Sequence, residues 1–158
     1  MIRQAVTTDA QQICKIYNHY IANTCFTFDE NAKDVEHFIK EINSGNPWLI
    51  TEENSEVIGF AYTSLWKTKT AYRFTHESTI YLKPDMHRQG IGTELYKSLI
   101  CRAKNHHIHS LLACIVLPHD QSIHFHEKLG FKKAAHFKRV GFKFEKWLDV
   151  GYWQLELN

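Results

Sequence analysis

The sequence predicts one α/β domain, and three observations carry that expectation. Strand-like runs and segments of helical period alternate along the chain. A length of 158 residues suits a single hydrophobic core. No repeat, linker or low-complexity stretch divides it.

The elements follow in order. Ile2 to Val6 reads as a short strand. Thr8-Asp9 then offers an N-cap, with Ile13, Ile16, Tyr17 and Tyr20 at helical spacing behind it. Asn23 to Asp29 mixes polar and aromatic residues and reads as a loop. A second helix is expected from about Ala32 to Ile42, with Val35, Phe38, Ile39 and Ile42 on one face and Ser44-Gly45-Asn46-Pro47 stopping it. Strands are expected over Trp48 to Glu52, Glu56 to Ser64 and Arg73 to Leu82, where Pro84 ends the run. A helix from near Gly90 to about Asn105 presents Leu95, Leu99 and Ile100 to the core. Ser110 to Val116 reads as a buried strand and Ser122 to Leu129 as a helix closed by Gly130. The alternating tail predicts a closing hairpin turning around Leu148-Asp149.

Composition narrows the class. Hydrophobic residues at 44% and charged residues at 23% are globular values rather than disordered ones. A net charge of +2 with no Lys/Arg run gives no basis for a nucleic-acid partner. No apolar run approaches membrane-span length, and Met1-Ile2-Arg3-Gln4 runs straight into polar residues. Cys14, Cys25, Cys101 and Cys114 lack CxxC spacing and read as free thiols in a reducing cytoplasm, with a metal site as the alternative. His106, His107 and His109 fall at a helix C-terminus and the loop after it, where the dipole favours cations. No convergent ligands suggest themselves there, so no metal is expected.

The sharpest local signal runs from Tyr81 to Thr93, between a strand and a helix. Gly90 and Gly92 allow a tight bend with no Cβ in the way of a ligand. The first-turn N–H groups sit unpaired at the positive end of the helix dipole, and Arg88 adds a full charge beside them. That is a ready anion site. A lone GxG fits an ordinary tight turn equally well, and neither a third glycine nor GK[ST] is present.

At these residues the sequence resembles the GNAT superfamily of N-acetyltransferases, whose cofactor motif is Arg/Gln-x-x-Gly-x-Gly/Ala. Here it reads His87-Arg88-Gln89-Gly90-Ile91-Gly92, departing at His87. Further blocks, among them Tyr17-Asn18-His19-Tyr20-Ile21, Pro47-Trp48-Leu49, Gly59-Phe60-Ala61-Tyr62, Glu77-Ser78-Thr79-Ile80-Tyr81-Leu82 and Asp149 to Leu155, resemble the phosphinothricin acetyltransferase branch. That branch acetylates the α-amine of phosphinothricin, methionine sulfoximine or methionine sulfone. The resemblance covers nearly the whole chain. It implies a single N-acetyltransferase domain over 1–158, with a mixed, mostly antiparallel sheet flanked by helices and splayed at its centre for acetyl-CoA. It also implies a homodimer.

The resemblance assigns residues as well. Ile80, Tyr81 and Leu82 would lie on a bulged strand whose open backbone pairs with the pantetheine arm, and whose N–H groups hold the thioester carbonyl. Arg88, Gln89, Gly90, Ile91, Gly92 and Thr93 would hold the pyrophosphate. His119 stands where the superfamily often has an Asn beside the cofactor arm. His126 stands where a Tyr often protonates the departing thiolate, and an imidazole can donate that proton too; a helix-surface histidine is the alternative.

Glu77 is the candidate base, since an ammonium must lose a proton before its nitrogen can attack a thioester. Ordering of the strand is the alternative role. Strict alternation places His76, the competing base, on the opposite face. Lys67, Tyr72 and Arg73 are the candidate acceptor contacts, Arg73 being able to grip a carboxylate with two parallel bonds. Cys114 lies in an apolar run, which raises a thiol pKa and argues against an acetyl-enzyme. The expected reaction is direct attack by the amine in a ternary complex. A peptide or protein amine as acceptor, and a non-catalytic acyl-CoA sensor, are the rival readings.

Overall fold

The computed structural model describes residues 1–86 and 90–157. Within them the elements are β1 (Ile2–Gln4), α1 (Ala10–Asn23), α2 (Val35–Ile42), β2 (Trp48–Glu53), β3 (Glu56–Leu65) and β4 (Thr75–Leu82). They continue with α3 (Ile91–Asn105), β5 (Ser110–Leu117), α4 (Asp120–Lys128), β6 (Lys132–Lys143) and β7 (Lys146–Glu156). The strands form one sheet in the order β1-β2-β3-β4-β5-β7-β6. Every pairing is antiparallel except β4 with β5. The expected mixed, mostly antiparallel sheet flanked by helices is the fold observed.

That parallel pair shapes the centre of the molecule. β4 meets β5 over three residue pairs only, Thr75 with Ser110, His76 with Leu111 and Glu77 with Leu112. β4 then stays on β3 to Leu82, while β5 stays on β7 to Leu117. The two strands therefore diverge beyond Glu77 and Leu112. The β5-facing backbone edge of residues 78–82 is left without a strand partner. The β3–β4 register is unbroken from His76 to Leu82. The opening thus comes from divergence of β5, and the bulge expected at Ile80, Tyr81 and Leu82 is absent from the pairing.

Two apolar layers hold the sheet. On one face α1 and α2 bury Ile13, Ile16, Tyr17, Tyr20 and Phe38 against Trp48, Phe60 and Tyr81. On the other, α3 buries Leu95, Tyr96 and Leu99 with Leu111, Phe131 and Trp153. Alternation along β4 divides its side chains between these faces: Tyr81 joins the first layer and Leu82 the second.

Several boundaries differ from expectation for local reasons. Asp9 occupies the N-cap position of α1 without capping it. Its carboxylate takes both guanidinium nitrogens of Arg3 at 2.7 and 2.9 Å and the Val6 N–H at 2.9 Å. α2 begins at Val35 because Asp34 caps it, accepting the His37 N–H at 2.8 Å. The terminal hairpin turns at Phe144-Glu145 rather than Leu148-Asp149. Both turn residues have positive φ, 49° and 58°, as the twist of a two-residue hairpin loop requires. Leu148 and Asp149 lie inside β7, paired with Gly141 and, across β5, with Leu117.

Candidate active site

Glu77 stands at the last β4–β5 pair before the strands part. Its partner on β3 is Ser64, and in antiparallel pairing both project to the α1/α2 face. Burial pushes its carboxyl above the usual carboxylate range. The Tyr62 and Tyr152 phenols and the Cys114 thiol are close enough for its charge to raise their own pKa values, although burial is the larger cause for each. Cys114 is pushed up to about 11, which leaves it a thiol at neutral pH. His76, on the opposite face, is buried and depressed by desolvation.

Two half-open pockets lie on this face of the sheet, reaching the neighbourhood of the carboxylate through Tyr62 and Ser64 on one side and Cys114 and Tyr152 on the other. One, of about 200 Å³, is lined by Tyr17, Asp29, Lys33, His37, Trp48 and Tyr62, among others. The second, of about 400 Å³, is walled by Phe28, Cys114, Val150 and Tyr152 and by Phe137, Val140 and Phe142 of β6. The segment Lys67 to Phe74 reaches the same region through Trp66, which flanks the Tyr152 hydroxyl. Tyr72 packs edge-on against Trp66 at 5.2 Å, and the Lys67 ammonium lies over the Trp66 ring. The Arg73 guanidinium lies 4.3 Å over Phe74 and donates to the Thr70 carbonyl at 3.1 Å. All three candidate acceptor contacts are exposed.

At the far end of the cleft, Gly90 is the N-cap of α3, with φ +78° and open space where a Cβ would stand. A glycine cap leaves the N–H groups of Ile91, Gly92 and Thr93 without a side-chain acceptor. A Cβ at Gly92 would meet Leu82 and Ile80, so the helix start packs closely on the open strand. An uncapped helix N-terminus beside an unpaired strand edge fits a phosphate-bearing thioester donor: anion at the helix, amide-bearing arm along the strand. His87, Arg88 and Gln89 lie outside the described residues.

His126 occupies a different setting from a surface helix position. It is buried, with rings of Tyr96, Phe125 and Phe131 around it. Its Nδ1 lies 2.8 Å from the Ser122 carbonyl, so Nδ1 carries the proton and donates it there. Desolvation depresses the ring to about 4, leaving it neutral. Nε2 then accepts from the Tyr96 hydroxyl at 3.2 Å, and Tyr96 in turn is 2.7 Å from Ser78 Oγ. Both nitrogens are engaged, and the ring holds no proton free for transfer. His119 caps α4, its Nδ1 accepting the Ser122 N–H at 3.4 Å, while its ring stacks on Phe26 at 4.2 Å.

Sequence reasoning missed Ser78, Tyr96 and Lys143. The 3.6-residue period already placed Tyr96 beside Leu95, and that signal was available. Nothing in the alternating tail marks Lys143 as buried, yet its ammonium donates to the Thr27 carbonyl at 2.8 Å. Among the described residues, no three His, Cys, Asp or Glu side chains are grouped to hold a metal ion. None of the described helices is long and apolar enough to cross a membrane.

Comparison with known proteins agrees with this geometry. Residues 2–151 match the acetyltransferase (GNAT) domain. The chain is 35% identical over 160 residues to the phosphinothricin N-acetyltransferase of Streptomyces viridochromogenes, covering 99% of this chain and 87% of that protein. It is 34% identical over 161 residues to the Escherichia coli L-amino acid N-acyltransferase MnaT, covering 99% and 94%. A solved structure of a GNAT superfamily phosphinothricin acetyltransferase from Sinorhizobium meliloti, in complex with acetyl-CoA, superposes with a TM-score of 0.95 at 32% identity. That match covers 100% of this chain and 88% of the other. The chain therefore belongs to the GNAT acetyltransferases, enzymes that move acetyl from acetyl-CoA to an amine.

Proposed function

We propose that this enzyme acetylates the α-amine of a small amino-acid-like acceptor of the phosphinothricin, methionine sulfoximine or methionine sulfone type. The observation that carries the reading is Glu77, a desolvated carboxylate at the point where the central strands part. Burial raises its affinity for a proton, which suits a base that must take one from an ammonium. Half-open pockets of about 200 and 400 Å³ on the same face are of small-molecule size. The names of the curated relatives support the same acceptor class.

In this reading the chain is one N-acetyltransferase domain. The thioester supplies the activated acetyl group, and the protein holds and orients it. The open edge of Ile80, Tyr81 and Leu82 receives the amide-bearing arm, and Arg88 to Thr93 receive the pyrophosphate. Glu77 takes the amine proton, directly or through a water. Cys114, held as a thiol, stays out of the reaction, so the amine attacks directly. With its proton committed to Ser122, His126 supports Tyr96 and Ser78 rather than delivering the proton itself. Lys67, Tyr72 and Arg73 form the acceptor's carboxylate side.

A panel of free amino acids and analogues with acetyl-CoA, read by free-thiol release, tests the acceptor class. Arg73→Ala sharpens the test. A charged hydrogen bond contributes about 1.5–3 kcal/mol, so its loss should raise acceptor KM roughly ten- to a hundredfold and leave acetyl-CoA KM unchanged. Wild type should reject the carboxamide analogue. Equal use of acid and amide would remove the carboxylate anchor and the amino-acid assignment with it.

Two coarser expectations belong to the same reading. A homodimer is supported by the half-exposed Phe137, Val140 and Phe142 of β6, Phe144 of its turn and Trp147 at the start of β7. A cytoplasmic location is supported by four cysteines that are all free.

A further inference from the structure

The loop between α1 and α2 crosses the open end of the cleft, and its attachments are made one residue at a time. Phe26 is the residue that spans it. On the β4 side, Tyr81 Oη donates to the Phe26 carbonyl at 3.4 Å, and Tyr20, whose ring also meets Phe26, donates to the Leu82 carbonyl at 2.7 Å. On the β5 side, the Phe26 ring lies on His119 with centroids 4.2 Å apart and planes within 26°. His119 lies two residues beyond the end of β5 and caps α4. The stack thus joins the two strands' far ends, where their backbones no longer pair.

Two residues beyond Phe26, Phe28 walls the 400 Å³ cavity beside Cys114 and Tyr152. Its ring also fills the place a Cβ would take at Gly141, and the Thr27 carbonyl between them is held by Lys143. The segment from Phe26 to Phe28 is short and gripped at each residue. The far wall of the same cavity carries groups that feel the Glu77 charge.

We propose that His119 is a positioning residue for the acceptor: its ring, stacked on Phe26, fixes the α1–α2 loop across the β4–β5 opening and so sets the wall formed by Phe28. The proposal rests on the reading of that cavity as part of the acceptor site. It assigns to His119 an effect on acceptor use rather than on donor affinity. It also makes Phe26 and His119 act as a unit. Half-exposed as it is, Phe26 has its stacking partner in His119 and would lose much of its reason to stay down without it.

His119→Asn separates the stack from the cap, because Asn keeps a side-chain acceptor for the α4 N-terminus and removes the ring. His119→Phe does the reverse. An aromatic pair contributes enough to change an equilibrium by roughly two- to tenfold. His119→Asn should raise acceptor KM by that factor, with no loss of acetyl-CoA affinity by calorimetry. His119→Phe should restore acceptor KM. Phe26→Ala should match His119→Asn, and the double variant should be no worse than either single one. Hydrogen exchange gives a readout independent of turnover: amides of residues 25–28 should exchange faster in His119→Asn and return towards wild type in His119→Phe. Additive effects of the two single variants, or unchanged exchange at residues 25–28, would overturn the proposal. A loss of acetyl-CoA affinity with acceptor KM intact would also overturn it and make His119 a donor ligand. Should wild type release no thiol with any amino-acid acceptor, the acceptor assignment fails, while the exchange experiment still decides whether the stack holds the loop.

Discussion

At the scale of single residues, Glu77 concentrates the chemistry, and its cost can be read as well as its use. Burial raises the carboxyl above its unfolded value of about 4.3. Below that unfolded value both states are protonated and the carboxyl costs nothing. As pH rises from the unfolded value to the folded one, the unfolded chain ionises first and folding loses stability, a loss complete above the folded value. Glu77→Gln should therefore melt above wild type at about pH 8 and level with it at about pH 4, measured by thermal scans across that window. The same substitution should lower kcat by about 10²–10⁴-fold at neutral pH and spare acetyl-CoA affinity. The defect should shrink as pH rises and free amine accumulates. A pH-independent loss would assign Glu77 to positioning. His126 shows the limit of reading residues alone: its type and place suggest an acid, while burial and two engaged nitrogens suit the supporting role proposed above. Only the environment separates those roles.

At the scale of elements, the β4–α3 junction and the terminal hairpin make a contrast. Gly90 holds φ +78° at the helix cap, a conformation that costs a residue with a Cβ about 1–2 kcal/mol. A Cβ there would meet no atom of the described residues within 4 Å. Gly90→Val should accordingly fold, with reduced stability, and block close approach of the pyrophosphate. Calorimetry should show acetyl-CoA binding lost. A folded variant that binds acetyl-CoA as wild type does would remove the site from this helix. The glycine spacing was legible because the constraint is local. The hairpin turn was not, since Phe144 and Glu145 carry none of the residue types that favour positive φ. There the cross-strand pairs, from Lys143 with Lys146 inward, impose the turn.

At the scale of the whole molecule, β6 is an edge strand of 12 residues, and half-exposed apolar side chains gather on it, on its turn and at the start of β7. Long exposed edges invite pairing with another chain. A second copy seated there would cover them, and sedimentation equilibrium should show a dimer for wild type. Phe144→Glu with Trp147→Glu, both surface positions, should shift it to monomer. A wild type that sediments as monomer at every concentration would overturn the dimer.

The sequence by itself determined the order of helices and strands, the layer faces of α1 and α2, the opposite placement of His76 and Glu77, and the family. Each is written in periodicity, in cap and turn chemistry, or in ordered motif blocks, all of which act over a few residues. Tertiary structure decided the rest. It parted β4 from β5 after Leu112 without a bulge, buried His126 and Lys143, and laid Phe26 on His119, 93 positions away along the chain. These depend on which surfaces meet when the sheet closes. Desolvation and the hydrogen bonds that answer it belong to that meeting, and no local pattern encodes them.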